Sequence, residues 1–366
     1  MKKYIYERAE WPELSFDKQA SRDSLTRLQR TLGRLYGKLD ALGLNVQNEL
    51  YLDAVSDEIA ASSEIEGEFL LRSSVRSSVA RRLGLENAGF TDASADRYTE
   101  GVVEIALDAT RNYKTPVTDE RLFGWHAALF PAGRSGLRRI TIGAYRVDDV
   151  AIVSGAIGRE KVHYQAPNPK QVPDEMTTYI TWLEAAQDMD QYVKAAIAHL
   201  LFESIHPFDD GNGRIGRAIA DLLLARAENS PMRFYSLSSQ LLTERKAYYL
   251  ELESASGYES DVERWINWFL GCLIRAIEAS EEKLEAAKRK AAFFEHIRSI
   301  VLNERQITIL NRLIDGFEGK LTTAKWAKLC KCSHDTALRD IDDLIKKGIL
   351  SHSTEGGRST SYRLLP

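Results

Sequence analysis

Ile205-His206-Pro207-Phe208-Asp209-Asp210-Gly211-Asn212-Gly213-Arg214-Ile215-Gly216-Arg217 is the most informative stretch of this 366-residue chain. Before it, Val193, Ile197, Leu200 and Leu201 recur at helical spacing, and after it so do Ile215, Ile219, Leu222 and Leu223. Two apolar helices therefore meet at a glycine loop. A loop carrying Gly211 and Gly213 into a helix start near Arg214 can aim several free backbone N–H groups at one point, where the helix dipole also favours an anion. Arg214 and Arg217 stand three apart, so both leave the same side of the first turn and can add bidentate donors. Asp210 places a carboxylate among these anion-binding groups, which a bridging magnesium ion explains most simply. His206 adds a group able to take a proton near neutral pH. Each residue has a plainer role of its own, His206 as a hydrogen-bonded core histidine and the glycines as turn formers. That reading must account for the Asp, two Gly, the Asn and two Arg together.

Working outward, the pattern is mainly helical. Leu25, Leu28, Leu32, Leu35, Leu39 and Leu42 form an amphipathic stripe, and Leu52, Val55 and Ile59 predict a second helix over about 48–63, ending near Gly67. A further helix is expected over 96–113, and Pro116, Thr118 and Asp119 read as the cap of another reaching Leu129. Val147, Val150, Ile152 and Val153, then Val162 and Tyr164, flank a Gly-bearing turn at about 154–158, the pattern of a short hairpin. From 173 to 298 nearly everything is helix-compatible, the charged run 281–290 reading as a solvated linker helix. The last residues read as three helices and a polar hairpin, a winged helix-turn-helix. The expected division is 1–90 helical, 91–280 core, 281–303 linker and 304–366 winged helix.

Composition bounds the class of protein. The chain is 44% hydrophobic and 28% charged, with 9 Pro and 23 Gly, which excludes collagenous, low-complexity and wholly disordered chains. Its 49 Lys plus Arg against 53 Asp plus Glu leave a net charge of −4, so no global positive field marks it as a nucleic-acid coat. The start has no signal-peptide core, and no run of about 18 apolar residues occurs, so a soluble, cytoplasmic protein with no membrane partner is expected. Cys272, Cys330 and Cys332 suit neither a disulfide framework nor common zinc spacing and are read as reduced thiols.

The stretch 206–217 resembles the signature of the Fic family, His-Pro-Phe-x-(Asp/Glu)-Gly-Asn-Gly-Arg-x-x-Arg, with every specified position matched. The likeness extends upstream through Ala198-His199-Leu200-Leu201-Phe202-Glu203 and Gly143-Ala144-Tyr145-Arg146, and downstream through Tyr248-Tyr249 and 265–270, about 92–277 in all. The opening Tyr4-Ile5-Tyr6-Glu7 to Trp11-Pro12 is similar to an N-terminal domain often fused to Fic proteins. The resemblance implies a Fic-type helical core with a β-hairpin flap. It also implies protein adenylyltransferase activity, the transfer of AMP from ATP to a Ser, Thr or Tyr hydroxyl of a target protein or of the chain itself. It assigns His206 as base, Asp210 as Mg2+ ligand, Gly211, Asn212 and Gly213 as anion hole, and Arg214 and Arg217 as β- and γ-phosphate ligands. Tyr248 and Tyr249 would line the nucleobase pocket, although buried aromatic packing serves them equally well. The hairpin would clamp a target segment by strand addition, unless it is simply a surface hairpin.

Ser62-Ser63-Glu64-Ile65-Glu66-Gly67 resembles the inhibitory pattern (Ser/Thr)-x-x-x-Glu-(Gly/Asn) of family members that carry their own inhibitory helix. Ser62 and Glu66, four apart, share a helix face, and Glu66 would pair with Arg217 against γ-phosphate docking. From 304 to 366 there are 11 Lys plus Arg against 8 Asp plus Glu, which fits DNA binding through His334, Thr336, Arg339 and Arg358. Asp335, Asp340, Asp342 and Asp343 on the same helix argue against it, and such modules also serve as protein or homodimer surfaces. Two other functions remain open. One is a metal-dependent hydrolase using His199, Glu203, His206 and Asp210; the other is a nucleotide-sensing transcription regulator without transfer.

Overall fold

The structure, a computed structural model, describes residues 3–85, 95–154, 161–186, 188–314, 316–317, 319–353 and 360–365. The chain forms two compact units, Met1–Ser280 and Glu281–Pro366. In the first, helices α1 (Arg22–Asp40), α2 (Leu44–Ile65), α3 (Arg72–Leu83), α4 (Arg97–Arg111) and α5 (Asp119–Leu129) precede a small strand pair, β1 (Arg134–Ser135) with β2 (Arg138–Arg139). A second antiparallel pair follows, β3 (Ala151–Ser154) with β4 (Lys161–Gln165). Helices α6 (Val172–Glu184), α7 (Gln191–Ile205), α8 (Asn212–Glu228), α9 (Leu237–Thr243) and α10 (Arg245–Ala255) complete the site-bearing part, and α11 (Val262–His296) runs on past Ser280. The architecture is mainly α, as expected.

Helix α7 is the centre of the fold. Every residue from Tyr192 to Ile205 is buried, the polar Lys194, His199, Glu203 and Ser204 included, as in a helix packed on all sides. Helix α8 packs along it, and the Trp265 indole N–H of α11 donates to Ala196 O at 2.8 Å. The caps foreseen before α5 are present: the Thr118 side chain accepts from Arg121 N–H at 3.2 Å. Helix α2 is longer than the 48–63 expected. It lies against α8 and α9, where Glu58 accepts from Ser236 Oγ at 2.8 Å and Ser238 N–H at 3.0 Å. The charged run 281–290 is helical, as part of α11. The paired strands are shorter than the apolar pattern suggested, and residues 155–158 of the expected turn lie outside the described residues.

The second unit holds α12 (Glu304–Ile314), α13 (Thr323–Cys330), α14 (His334–Lys346) and the antiparallel pair β5 (Leu350–His352) and β6 (Tyr362–Leu364). Ile309, Leu310, Trp326, Ile341, Leu344 and Leu350 form its core. Between α13 and α14 the chain turns at Lys331, φ +49°, and Ser333 caps α14 by accepting from Thr336 N–H at 3.2 Å. Asp340 faces Arg305 and Asn303, and Asp343 faces Gln306 and Lys347, so of the four aspartates on α14 only Asp335 and Asp342 are exposed without such partners among the described residues. Arg358 lies outside the described residues.

Candidate active site

Helix α7 stops because His206 turns left-handed, at φ 51° and ψ 60°, while its N–H still donates to Phe202 O at 3.0 Å. Gly211, φ +83°, starts α8 in the same region of backbone space, and an added Cβ there would stand 2.9 Å from the Phe130 ring. Asn212, the first residue of α8, closes the loop between them on itself. Its Nδ2 donates to Phe208 O and its Oδ1 accepts from Phe208 N–H, both at 2.9 Å. The Asn212 side chain is thus a loop clamp, and only its backbone N–H is left for a ligand. The amides of Asn212, Gly213 and Arg214 have no protein partner among the described residues, since the first backbone bond of the helix is Ile215 N–H to Gly211 O at 3.1 Å.

Arg214 is buried and packs its guanidinium 5.2 Å from the Phe130 ring centre; Nη1 donates to Tyr98 OH at 2.5 Å, and Nη2 stands 3.6 Å from Asp210 Oδ1. Asp210 accepts from Gly211 N–H at 2.5 Å and from the Ser135 hydroxyl. Tyr98 and Ser135 escape sequence reading, because each is an isolated polar residue far from the loop with no pattern around it. Arg217 is buried. Its Nε donates to Ser62 Oγ at 2.9 Å, and its Nη2 to Ser62 O and to Glu66 Oε1, both at 2.8 Å. Burial opposes the charge of Arg217, but Glu66 beside it holds the guanidinium protonated above its ordinary range. The Glu66 carboxylate also occupies the space a side chain at Gly213 would take: an added Cβ would run into it and stand 3.1 Å from Arg217 Nη1.

Gly67, φ +84°, has a local reason. Glu68 N–H donates to Ser63 O at 3.0 Å and Gly67 N–H to Glu64 O at 2.9 Å, the paired bonds of a Schellman helix end. Only a residue that tolerates left-handed backbone can stand after Glu66. Of the two tyrosines, Tyr248 is buried with its hydroxyl 2.9 Å from His199 Nε2, whereas Tyr249 is 42% exposed and donates to Ile65 O at 3.2 Å. Tyr248 is thus enclosed by packing, and Tyr249 alone of the pair is exposed, with the Arg245 guanidinium 5.8 Å from its ring centre.

Burial pushes the His206 imidazole down to about 4, against 6.5 ordinarily, so it is neutral and able to accept a proton at pH 7. His199 is lowered to about 4 by the same cause, and Glu203 is raised to about 8. The hydrolase set does not assemble. The left-handed turn at His206 takes it off the helical phase of His199 and Glu203, which point at Gly216, where an added Cβ would meet Glu203 Oε1 at 2.7 Å and His199 Nδ1 at 3.4 Å. Among the described residues no group of three or more His, Cys, Asp or Glu side chains is placed to hold a metal ion. His126 stacks on Phe208 at 4.3 Å, and His163 Nδ1 meets Glu253 Oε1 at 2.8 Å, both away from any such role.

A histidine-bearing loop between two buried helices opens onto amides without partners among the described residues and onto two arginines, and residues 116–224 match the Fic/DOC family. The chain carries a Fic domain. Residues 4–85 match a domain of unknown function, DUF4172. The chain is 38% identical over 80 residues to a probable protein adenylyltransferase of Aquifex aeolicus, covering 22% of this chain and 23% of that one. It is 32% identical over 114 residues to the protein adenylyltransferase Fic of Culex quinquefasciatus, covering 31% and 21%. The chain thus spans less than a quarter of the length of these curated relatives. The Fic-domain fold also recurs in a Fic family protein from Desulfovibrio desulfuricans, with TM-score 0.55 at 22% identity, over 97% of this chain and 98% of that one. Among the described residues no helix is long and apolar enough to cross a membrane.

Proposed function

We propose that the chain is a protein adenylyltransferase that moves AMP from ATP to a Ser, Thr or Tyr hydroxyl of a target protein or of itself, and that Glu66 keeps it inhibited. The observation that carries this reading is the start of α8, where three amides without protein partners among the described residues open beside His206, Asp210, Arg214 and Arg217. His206 takes the proton of the target hydroxyl as its oxygen bonds to the α-phosphorus. The α–β P–O bond breaks, and pyrophosphate leaves with the electron pair. The free amides and the two arginines hold the phosphates, so positioning and charge stabilisation do most of the work. Asp210, a half-exposed carboxylate beside the cradle, fits the hard oxygen donor that Mg2+ takes alongside phosphate oxygens. When bound, the ion would neutralise phosphate charge. Tyr249 would face the nucleobase. We assign 1–90 to the inhibitory part, 91–280 to transfer, and 304–366 to a winged helix after the linker 281–303.

In this reading Glu66 occupies Arg217 and the Gly213 surface where the γ-phosphate would dock. The test is initial-rate labelling of lysate and of the chain itself with α-labelled ATP and magnesium. If the inhibited arrangement is favoured by about 3 kcal/mol, Glu66→Gly raises the rate roughly 100-fold. Adding His206→Ala then lowers it by at least about 100-fold while ATP still binds. A folded Glu66→Gly protein that transfers no label would end the transfer reading, and equal rates for it and the parent would end the inhibitory one. A second reading concerns α14: with Asp340 and Asp343 engaged inside the second unit, exposed His334 and Arg339 gain weight as DNA contacts.

A further inference from the structure

Arg146 is 2% exposed, yet it makes no ion pair among the described residues. Its donors go to three backbone carbonyls on three segments: Nε to His206 O at 2.8 Å, Nη1 to Asp148 O at 2.9 Å and Nη2 to Pro167 O at 2.6 Å. Its backbone N–H donates to Pro207 O at 2.9 Å. Asp148 precedes β3 and Pro167 follows β4, so one guanidinium ties both feet of the hairpin to the carbonyl of His206. Nothing about stability alone requires this. Taking a guanidinium out of water is costly, and an apolar side chain of similar volume would fill the same space without that cost. What the planar fork supplies is direction, three bonds at fixed angles. His206 needs such a hold. A non-glycine residue in left-handed backbone is strained by roughly 1–2 kcal/mol and persists only where its surroundings over-determine it.

We propose that Arg146 is a positioning residue, which locks the left-handed turn at His206 to the base of the β3–β4 hairpin and so sets the aim of the imidazole from the hairpin. The inference rests on the transfer reading for what His206 is aimed at. It separates two properties that a purely structural residue would lose together: the phosphate cradle is built by α8 and needs no Arg146, whereas the aim of His206 does.

The experiment uses the full chain carrying Glu66→Gly, alone and with Arg146→Gln or Arg146→Lys. ATP affinity, transfer rate and amide hydrogen exchange are measured on each. For Arg146→Gln we expect kcat to fall about 100-fold while the Kd for ATP changes less than about twofold. Exchange at 162–166, His206 and Phe208 should speed by about tenfold or more, with the α11 amides unchanged. Arg146→Lys, which keeps the charge and part of the donor set, should fall between. Unchanged exchange at the hairpin base and at His206 would overturn the proposal, as would acceleration spread evenly over the chain or an equal loss of ATP affinity and rate. If the Glu66→Gly parent transfers no label, the transfer reading fails on its own, and the exchange comparison still decides whether Arg146 holds the loop.

Discussion

Glu203 lies on α7 with Oε1 buried and without a partner among the described residues, facing Gly216. Burial raises its carboxyl to about 8 from an ordinary 4.5, so the folded protein keeps it neutral at pH 7 while the unfolded chain ionises it. A folded-state value above the unfolded one means stability that is present at acid pH and lost as pH rises through about 8. Between pH 6.5 and 8 this one group should cost about 2 kcal/mol. Glu203→Gln keeps the neutral shape, so its stability, followed by urea unfolding, should fall correspondingly less over that window. Identical pH slopes for the two proteins would mean that the carboxyl is ionised in the fold. His199 works in the opposite sense: lowered to about 4 by burial, it penalises the folded state as pH drops below 6.5. At this scale the sequence was legible where roles are set by neighbours. His206, Asp210, Gly211 and the arginines are contiguous, and so was their grouping. The Asn212 clamp and the burial of Tyr248 were not legible, because both depend on which atoms the fold brings to them.

The proposed inhibition depends on a helix end. The (Gly/Asn) position after Glu66 matches the two residue types that best tolerate left-handed backbone, and Gly67 adopts it to close α2 by a Schellman pair. The helix end thereby holds Glu66 over Gly213. Replacing Gly67 by Ala should strain this end by about 1 kcal/mol and raise transfer several-fold. Gly67→Asn should leave the rate near that of the parent. Both follow from one comparison of initial labelling rates, and an Ala variant no faster than the Asn variant would show that the turn does not hold Glu66. The spacing of Ser62 and Glu66 places them on one face from sequence alone. That this face meets Arg217, 151 residues away, comes from the packing of α2 on α8.

For the whole molecule, every residue assigned to transfer falls within Met1–Ser280, and 304–366 has its own core. Removing 304–366 should therefore leave the rate of the Glu66→Gly protein within about twofold, since independent units contribute separately. If α14 contacts DNA as the second reading has it, any retention of DNA fragments at low salt should disappear with the same deletion. A folded truncation that no longer transfers would make the second unit part of the catalytic assembly, and equal DNA retention by both chains would remove α14 as the contact. The sequence by itself determined the helical class, the glycine loop with its histidine and cations, and the helix face bearing Ser62 and Glu66, because periodicity and adjacent chemistry act over a few residues. Only the tertiary structure decided that Glu66 rests on Gly213 and Arg217, that Tyr98 and Ser135 hold Arg214 and Asp210, and that Arg146 joins the hairpin to His206. These are contacts between segments far apart in the chain, made by single residues whose meaning depends on burial and on the partner the fold supplies.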